Sequence, residues 1–341
     1  MKRQCLYFMG PRQVCLREEL LAEPGPGQVL VETVFSAISP GTELLIYRGE
    51  FPAGLALDEN LPALSEDFSF PLKYGYAAAG RVAALGEGVG EEWLGLTVFA
   101  FQPHASHFVA PIGELLPVPQ GLPLEQAVFL PNMETAVNFL MDGAPLIGEQ
   151  VAVLGQGVVG LLTTALLAQL PLASLVTLDR YPLRRRTSLE WGATASLDPD
   201  GADGLKPALA ALQEARNYPG ADLVYELSGN PAALDQAIAL CGYHGRVLIG
   251  SWYGGKRASL DLGGRFHRDR IRLISSQVSR LAPELSGRWD KTRRFRLAWE
   301  MIERFQPARL ITQRFPLARA AEAYRLLDEA PGEAIQVALV Y

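Results

Sequence analysis

The sequence predicts an α/β protein in which a β-rich region precedes a doubly wound parallel sheet. Up to about residue 120, short β-branched and aromatic runs alternate with Gly/Pro turns, which is typical of a small antiparallel barrel. From about residue 124, apolar strands alternate with helical stretches, which favours a parallel sheet covered on both faces. A glycine-rich turn follows the first of those strands.

The β-rich region is predicted from four runs and the turns between them. The predicted strands are 29–35, 79–85, 97–101 and 106–109, with Gly/Pro turns at 24–27 and 86–90. Between them, residues 49–71 form a long segment without a periodic pattern, in which Phe51, Phe68 and Phe70 stand among Asp58, Glu59, Glu66 and Asp67. Loops of this length are usually functional lids or binding loops, or else disordered.

The second region is predicted from strands and helices that alternate along the chain. The predicted strands are 151–154, 174–178, 194–197, 222–227, 246–250 and 271–275, and the predicted helices include 124–141, 158–170, 292–305 and 317–328. Residues 334–341 alternate like a strand and could return to the barrel. We therefore predict an N-terminal domain over 1–123, a parallel-sheet domain over 124–305, and a C-terminal return over 306–341.

The turn after strand 151–154 has the spacing G-x-G-x-x-G, with Gly155, Gly157 and Gly160. In such a turn the first glycine makes the bend, the second lets the backbone approach a pyrophosphate, and the third lets helix and strand pack closely. Helix 158–170 would offer its N-terminal N–H groups to the phosphates. A buried glycine-rich turn is the alternative, but an acid in register, Asp179 after strand 174–178, favours a dinucleotide.

The cofactor identity depends on Asp179, because a carboxylate there accepts hydrogen bonds from the ribose hydroxyls of NAD and repels the 2′-phosphate of NADP. Arg180 or Arg184 could stack on adenine or accept that phosphate, so NAD is preferred and NADP stays possible. Trp252 could touch nicotinamide or substrate, or simply pack. The predicted cofactor residues are Gly155, Gln156, Gly157, Val158, Val159, Gly160, Asp179, Arg180, Arg184, Ser228, Gly229, Ser251 and Trp252.

Composition restricts the partners and the compartment. The chain has 341 residues, 49% of them hydrophobic and 20% charged, with a net charge of −6, so neither nucleic acid nor an anionic membrane is an expected partner. Three scattered cysteines indicate neither a disulfide framework nor a cysteine metal site. The N-terminus lacks a signal-peptide pattern, and predicted helix 158–170 is too short to span a bilayer. We expect a cytoplasmic protein with a small-molecule substrate.

Several further motifs make the chain similar to the medium-chain dehydrogenase/reductase superfamily. Besides the glycine-rich turn, they are Pro-Gly-Pro-Gly-Gln-Val-Leu-Val (24–31), Gly-Thr-Glu (41–43), Gly-Arg-Val (80–82), Gly-Glu-Gly-Val (86–89), Glu-Trp-Gly-Ala-Thr (190–194), Ser-Gly (228–229) and Gly-Arg-Val-Leu-Ile-Gly (245–250). The resemblance implies a GroES-like catalytic domain around a Rossmann domain, with a nicotinamide cofactor in the cleft between them. It also implies a homodimer paired through the strand near 271–277. Residues 36–43 and 266–277 most resemble the branch that contains the bacteriochlorophyllide dehydrogenases.

The chain departs from the zinc enzymes of that superfamily at every ligand position. Pro40 replaces the usual cysteine, and Tyr76 replaces the usual histidine. The third position, within 130–135, has no cysteine, and the four-cysteine structural-zinc lobe is missing. Glu43 and Glu134 do not supply the three or four ligands that zinc requires. His104 and His107 are interpreted as polar residues of the surface or cleft, so no metal is predicted.

A donor must then replace the metal, because hydride transfer to a carbonyl leaves negative charge on oxygen. The resemblance places Tyr76 and Thr42 facing the nicotinamide. Tyr76 either donates a hydrogen bond or fills the volume that zinc would occupy, and Thr42 either relays a proton or caps a turn. Lys73 could lower the pKa of the tyrosine or point away. Glu43 is interpreted as a structural acid, for example paired with Arg48.

These residues predict a zinc-independent, NAD-preferring oxidoreductase that interconverts an alcohol and a carbonyl on a large or apolar substrate. Two alternatives stay open at this point. A quinone or enone reductase needs no metal, because the hydride goes to a conjugated carbon. A nucleotide-binding scaffold or sensor would have kept the cofactor fold and lost the chemistry together with the zinc ligands.

Overall fold

A computed structural model describes residues 1–52, 62–64, 68–212 and 219–341. The described residues form two compact units. The first unit contains Met1–Pro131 and Ile302–Tyr341, and the second contains Asn132–Met301. None of the helices in the described residues combines the length and the apolar character needed to cross a bilayer.

The strands are, in chain order, β1 Lys2–Gly10, β2 Gln13–Leu20, β3 Gln28–Ile38, β4 Leu72–Lys73, β5 Ala78–Leu85, β6 Thr97–Ala100, β7 His107–Pro111, β8 Leu116–Pro117, β9 Gln150–Leu154, β10 Ser174–Leu178, β11 Ala195–Leu197, β12 Ala221–Glu226, β13 Cys241–Ile249, β14 Arg272–Ser275, β15 Ile311–Pro316 and β16 Gln336–Val340. The α-helices are α1 Pro40–Arg48, α2 Leu124–Ala127, α3 Leu130–Gly143, α4 Val158–Leu167, α5 Pro182–Glu190, α6 Lys206–Ala211, α7 Pro231–Leu240, α8 Lys291–Phe305 and α9 Ala320–Glu329.

The first unit contains two sheets in the described part of the chain. One has the order β15-β16-β3-β5-β6-β8, with β7 also paired to β3, and the other has the order β2-β1-β4. β16 runs parallel to β15 and antiparallel to β3, where Val337 pairs with Ile38. The C-terminal residues therefore lie inside the sheet that the N-terminal residues begin.

Helices α1 and α9 pack together in the core of this unit. Tyr324 of α9 is fully buried, stacks on Tyr47 of α1 with ring centroids 5.4 Å apart, and meets Phe8 of β1 edge-on at 5.2 Å. Such aromatic pairs add to the stabilisation from burial alone. The hydroxyl of Tyr324 is thereby held inside the core, where it needs a hydrogen-bond partner.

The second unit contains one sheet, within the described residues, of order β11-β10-β9-β12-β13-β14. Every neighbouring pair in it is parallel. Numbered along the chain, this is the 3-2-1-4-5-6 order of a doubly wound sheet, in which the strand order reverses beside the first strand. The prediction of a doubly wound parallel sheet is confirmed. Ligands of such sheets bind at the carboxyl ends of the strands near that reversal.

Two predicted helices end or break where proline requires it. The predicted helix 124–141 is interrupted after Ala127, and α3 begins again at Leu130 with Pro131 in its first turn, because proline has no N–H for a continuous helix. Helix α4 ends at Leu167 rather than at residue 170. Leu170 N–H instead bonds to Leu167 O in a tight turn before Pro171.

The segment 49–71 is described only in part. Asp58, Glu59, Glu66 and Asp67 lie outside the described residues. Phe51 is buried, and its ring centroid lies 5.1 Å from that of Phe68, which in turn meets Phe70 at 5.2 Å. The phenylalanines of this segment thus pack on one another beside the core that contains Tyr324.

Candidate functional site

The glycine-rich turn of the second unit is shaped by two close backbone contacts and one open space. A Cβ on Gly155, whose φ is +90°, would lie 2.6 Å from Ser228 Cα, and a Cβ on Gly160 would lie 2.0 Å from Gly155 O. A Cβ on Gly157 would meet nothing nearer than Arg184 Nη1 at 4.0 Å. The turn therefore leaves free space at the N-terminus of α4, where Val158 and Val159 begin the helix, and a phosphate fits there.

Asp179 closes this turn from the end of β10. Its Oδ2 accepts a hydrogen bond from Gln156 N at 2.7 Å, and its Oδ1 accepts one from Tyr181 N at 2.8 Å. The Gln156 side chain points inward, with Nε2 donating to Gly155 O at 3.2 Å and Oε1 accepting from Thr164 Oγ1 at 3.0 Å. Gln156 therefore orients Asp179 through its backbone, while the carboxylate retains lone pairs for ribose hydroxyls.

The predicted arginines have different neighbours. Arg184 Nη1 lies 3.9 Å from Asp179 Oδ2, and its guanidinium lies 4.8 Å from the ring centroid of Tyr181. Arg180 instead forms an exposed ion pair with Asp200 at 3.0 Å. Arg185 donates to Asp179 O at 2.8 Å. Arg184 is thus the cation beside the acid, and Arg185 holds the backbone at that position.

Glu226, at the carboxyl end of β12, connects the loops that were predicted to line the cofactor. Its side chain is fully buried, and Oε1 accepts from Ser228 N at 2.9 Å and from the Ser228 hydroxyl. The other oxygen accepts from the Tyr253 hydroxyl, whose pKa is raised by burial and by this carboxylate. Ser251 Oγ accepts from Gly229 N at 2.8 Å. Glu226 was not predicted, because it lies inside the predicted strand 222–227 and lacks the spacing from a glycine-rich turn that marked Asp179.

These loops lie where a doubly wound sheet binds its ligand. Ser228 and Gly229 follow β12, and Ser251 and Trp252 follow β13. Trp252 is 44% exposed, so its ring is accessible at this edge of the unit. The open space at Gly157, the acid at the end of β10 and these two loops fit a dinucleotide bound along the carboxyl ends of the strands.

Tyr76 of the first unit is half-buried, and its hydroxyl donates a hydrogen bond to Ser39 Oγ. Ser39 is the N-cap residue of α1. Thr42 lies in the first turn of that helix, with its N–H bonded to Ser39 O at 3.2 Å. Sequence reasoning missed Ser39, because its contact with Tyr76 joins residues 37 positions apart. The structure thus pairs two hydroxyl groups at the beginning of α1.

Lys73 points to the sheet formed by β1 and β2. Its Nζ lies 3.4 Å from Glu19 Oε1 and 5.6 Å from the ring centroid of Tyr7. Burial alone would raise the pKa of the Glu19 carboxyl, but the donors Tyr7, Cys5 and Arg3, together with the charge of Lys73, lower it to about 2. The ammonium is therefore occupied by an ionised partner on β2.

A buried polar group lies beside Ser39. Glu43 Oε1 accepts from Ser39 N at 2.7 Å, while Oε2 accepts from the Tyr324 hydroxyl and lies 3.0 Å from His104 Nε2. His104 Nδ1 lies 2.7 Å from Ser36 Oγ, and Glu43 and His104 are both fully buried. Two interpretations from the sequence are corrected here. His104 lies in the core rather than at the surface or cleft, and Glu43 pairs with His104, not with Arg48.

Arg48 has a different partner from the one suggested by the sequence. Its Nε lies 2.6 Å from Asp328 Oδ1. The distance along the chain explains the error, because Asp328 and Arg48 are 280 residues apart. The Glu43 carboxylate is instead stabilised by neutral donors and an imidazole.

The residues at the positions of the zinc ligands do not fit a tetrahedral zinc site. Glu43 already accepts from Ser39 and Tyr324 and contacts His104, and Glu134 holds Arg294 at 2.7 Å. Across the described ranges, no group of three or more His, Cys, Asp or Glu side chains converges as metal ligands would. Structural and catalytic zinc sites need three or four such N, S or O ligands.

Two comparisons of sequence find similarity to dehydrogenases. Residues 158–295 match the family model described as zinc-binding dehydrogenase. L-threonine 3-dehydrogenase of Stenotrophomonas maltophilia is 26% identical over 262 residues, which cover 68% of this chain and 72% of that protein. L-threonine 3-dehydrogenase of Bacillus licheniformis is 31% identical over 145 residues, which cover 42% of this chain and only 40% of that protein.

Solved structures share the fold over the whole chain. A short chain alcohol dehydrogenase from Escherichia coli CFT073, complexed with cofactor NADH, gives a TM-score of 0.78 at 18% identity and covers 100% of this chain and 99% of that one. A putative zinc-binding dehydrogenase from Sinorhizobium meliloti 1021, bound to NADP, gives 0.78 at 20% identity and covers 100% of both chains. These likenesses concern the fold alone.

Proposed function

We propose that this chain, which belongs to the medium-chain dehydrogenase/reductase superfamily, is an NAD(P)-dependent oxidoreductase that interconverts an alcohol and a carbonyl without a catalytic zinc. The observation that carries the proposal is the hydrogen bond from Tyr76 to Ser39. It puts a hydroxyl donor at the segment where zinc members of the superfamily have a histidine ligand. The named activities of the relatives, on threonine, are not transferred, because identity to them is low or partial.

In this proposal the second unit binds and orients the cofactor. The pyrophosphate lies against the open side of Gly157 at the N-terminus of α4, where unpaired N–H groups and the helix dipole favour negative charge. Asp179 accepts hydrogen bonds from the adenine ribose, since Gln156 and Tyr181 fix its orientation. When bound, the nicotinamide supplies or accepts the hydride.

Tyr76 supplies the proton for carbonyl reduction. As the carbonyl carbon accepts a hydride, its oxygen becomes an alkoxide, and the Tyr76 hydroxyl gives that oxygen its proton. In the structure that hydrogen points to Ser39 Oγ, whose own hydrogen can turn to stabilise the phenolate that remains. In the oxidation direction the same groups take the proton back. Thr42, whose N–H bonds to Ser39 O in the first turn of α1, is the third hydroxyl-bearing residue of this segment.

Substrate turnover tests the reaction class. We would follow NADH absorbance with benzaldehyde, cyclohexanone and 2-octanone as carbonyls, with cyclohexenone and 1,4-naphthoquinone as conjugated acceptors, and with the matching alcohols and NAD in reverse. We expect reduction of a carbonyl and oxidation of its alcohol. Turnover of only the conjugated acceptors would identify an enone or quinone reductase, and tight NADH binding without any turnover would identify a scaffold or sensor.

Metal content tests the zinc-independent part of the proposal. We expect purified protein to contain well below one zinc per chain, and we expect kcat to survive dialysis against EDTA, because Glu43 and Glu134 are occupied by protein donors. Elemental analysis by mass spectrometry, with a zinc-type threonine dehydrogenase as the positive control, gives the stoichiometry. One zinc per chain, lost together with activity on chelation, would show that zinc is part of the catalytic machinery.

Cofactor preference tests Asp179. In Asp179→Ala the Kd of NAD should rise about tenfold or more, because ribose hydrogen bonds are lost, while the Kd of NADP should rise less or fall as a repulsive charge is removed. Damage to the turn would weaken both cofactors, so the measured quantity is the ratio of the two Kd values by calorimetry. Asp200→Ala, which removes an exposed acid paired with Arg180, is the matched control. An unchanged ratio in Asp179→Ala would show that Asp179 does not discriminate.

A further inference from the structure

The Glu43 carboxylate is an unusual group to bury, because its contacts in the described residues come from neutral donors and one imidazole rather than from a guanidinium or ammonium. Its side chain is fully buried, as are those of His104 and Tyr324. A buried carboxylate is costly unless hydrogen bonds replace its hydration. Ser39 N, the Tyr324 hydroxyl and His104 Nε2 provide them here. Three chain segments thus converge on one carboxylate.

The Glu43 carboxylate holds one partner of the Tyr76–Ser39 hydrogen bond. The bond of 2.7 Å from Ser39 N to Oε1 fixes the backbone of Ser39 at the N-cap of α1. Ser39 Oγ is the atom that accepts the Tyr76 hydrogen. A shift of Glu43 therefore moves the acceptor of that hydrogen.

His104 holds the other partner of that bond through the backbone before Tyr76. The backbone N–H of His104 donates to Tyr74 O at 3.2 Å. Its imidazole lies against Gly75, where a Cβ would come within 2.7 Å of Cδ2 and 2.8 Å of Nε2, and where φ is +120°. Glycine at 75 is what lets the ring approach this closely. The segment that carries Tyr76 is thus held against the same imidazole that contacts Glu43.

The tautomer of His104 follows from its two neighbours. The Glu43 carboxylate, when ionised, only accepts, so the hydrogen lies on Nε2 and points to Oε2. Nδ1 then accepts from Ser36 Oγ at 2.7 Å, and Ser36 Oγ accepts from the Tyr341 hydroxyl at 2.8 Å. Both ring nitrogens are occupied, so the ring cannot rotate without losing two hydrogen bonds.

We propose that the buried Glu43–His104 pair is a positioning pair that sets the geometry of the Tyr76–Ser39 hydrogen bond from both sides. This inference depends on the proposed role of Tyr76 as the proton donor. Glu43 and His104 do not touch the substrate oxygen in this scheme. They act by holding Ser39 and the backbone of residues 74–76, and small displacements of a donor are costly to kcat because proton transfer needs near-ideal geometry.

A double-mutant cycle separates positioning from general support of the fold. We would measure kcat in the wild type, Glu43→Gln, Tyr76→Phe and the double variant. The substrates are NADH and whichever of the carbonyls tested above is reduced fastest. Glu43→Gln should lower kcat about 30-fold where Tyr76 is present and less than about twofold where phenylalanine replaces it. The Kd of NADH should stay within about twofold, since the cofactor residues lie in the second unit.

A second variant and a control keep the test decisive. Tyr324→Phe removes one donor to Glu43 and leaves an apolar ring in the core, so it should lower kcat about threefold, again only where Tyr76 is present. It replaces Glu43→Gln if that variant does not fold. Asp328→Asn removes a carboxylate on the same helix as Tyr324 that pairs with Arg12 and Arg48 and should leave kcat unchanged.

The outcomes distinguish the two proposals. If Glu43→Gln lowers kcat by the same factor in the wild type and in Tyr76→Phe, the positioning pair is overturned, while Tyr76 remains the proposed donor. Wild-type kcat in Tyr76→Phe, or no carbonyl turnover at all, would overturn the proposed function and this inference with it. A loss of kcat that occurs only where Tyr76 is present supports both the positioning pair and the proposed function.

Discussion

Replacing Tyr76 with phenylalanine is expected to lower kcat for carbonyl reduction about 100-fold or more, with the Kd of NADH within about twofold of the wild-type value. The substitution removes only the hydroxyl that donates to Ser39 and keeps the half-buried ring in place. We expect the loss in the chemical step, because the residues proposed to bind the cofactor lie around Gly157 and Asp179. Single-turnover oxidation of NADH, which excludes product release, measures it directly.

Tyr7→Phe is the matched control for this loss. Tyr7 lies in the same unit, and its hydroxyl also donates a hydrogen bond, to the Glu19 carboxylate. Its loss should change stability slightly and leave kcat as it is. If Tyr76→Phe turns substrate over as fast as the wild type, Tyr76 only fills volume, and the proton must come from another group or from water.

Replacing Arg294 with methionine is expected to destabilise the protein by about 3–5 kcal/mol and to lower its Tm by roughly 10 °C. Arg294 is fully buried, and its Nη2 lies 2.7 Å from Glu134 Oε1. Its Nη1 lies 2.5 Å from Asn138 Oδ1, and the guanidinium also donates to Val278 O. Without it, Glu134 is left as a buried carboxylate with little compensation, which is more costly than removal of the whole pair.

The stability lost in Arg294→Met should depend on pH, because it depends on whether Glu134 is ionised. Burial raises the pKa of Glu134 above the ordinary value of a glutamate side chain even with Lys291 and Arg294 nearby, so the folded protein binds a proton there more readily than the unfolded chain does. Removing Arg294 raises the pKa of Glu134 further. The destabilisation caused by Arg294→Met should therefore be larger at pH 8 than at pH 5, because the uncharged share of this buried carboxyl rises as the pH falls.

Thermal unfolding followed by circular dichroism at these two pH values tests the prediction. The double variant Arg294→Met with Glu134→Gln should recover part of the lost stability, because no buried charge remains. Arg180→Met removes one partner of an exposed ion pair and should change Tm by less than about 2 °C. If Arg294→Met lowers Tm as little as Arg180→Met does, water reaches the Glu134 carboxylate.

The parts of the fold that could be predicted from sequence depend on local patterns. The strand, turn and helix around Gly155 and Gly160 follow from the spacing of the glycines, because Gly160 packs against Gly155 only five residues away. Gly155 also packs against Ser228, which follows β12, the strand beside β9 in the sheet. The alternation of strands and helices after residue 124 predicted the parallel sheet, and the structure confirms it.

The polar contacts of the candidate site could not be predicted, because they join residues far apart in the chain. Glu43 meets His104 across 61 residues and Tyr324 across 281, and Arg294 meets Glu134 across 160. A single sequence shows that these residues exist but not which side chains converge. An isolated histidine such as His104 was therefore assigned to the surface or cleft, and the acid Glu43 was paired with the nearest arginine along the chain.

The position of β16 has a consequence for the order in which the protein can be made. β16 lies between β15 and β3, and the Tyr324 hydroxyl donates to Glu43, so residues beyond 310 complete a unit that begins at residue 1. On the ribosome the second unit, 132–301, emerges whole while the first is still missing two strands of its sheet. Nascent chains generally fold domain by domain as they emerge. The second unit can thus form early, whereas Ser39 and Tyr76 gain their full support only after the residues beyond 310 have emerged.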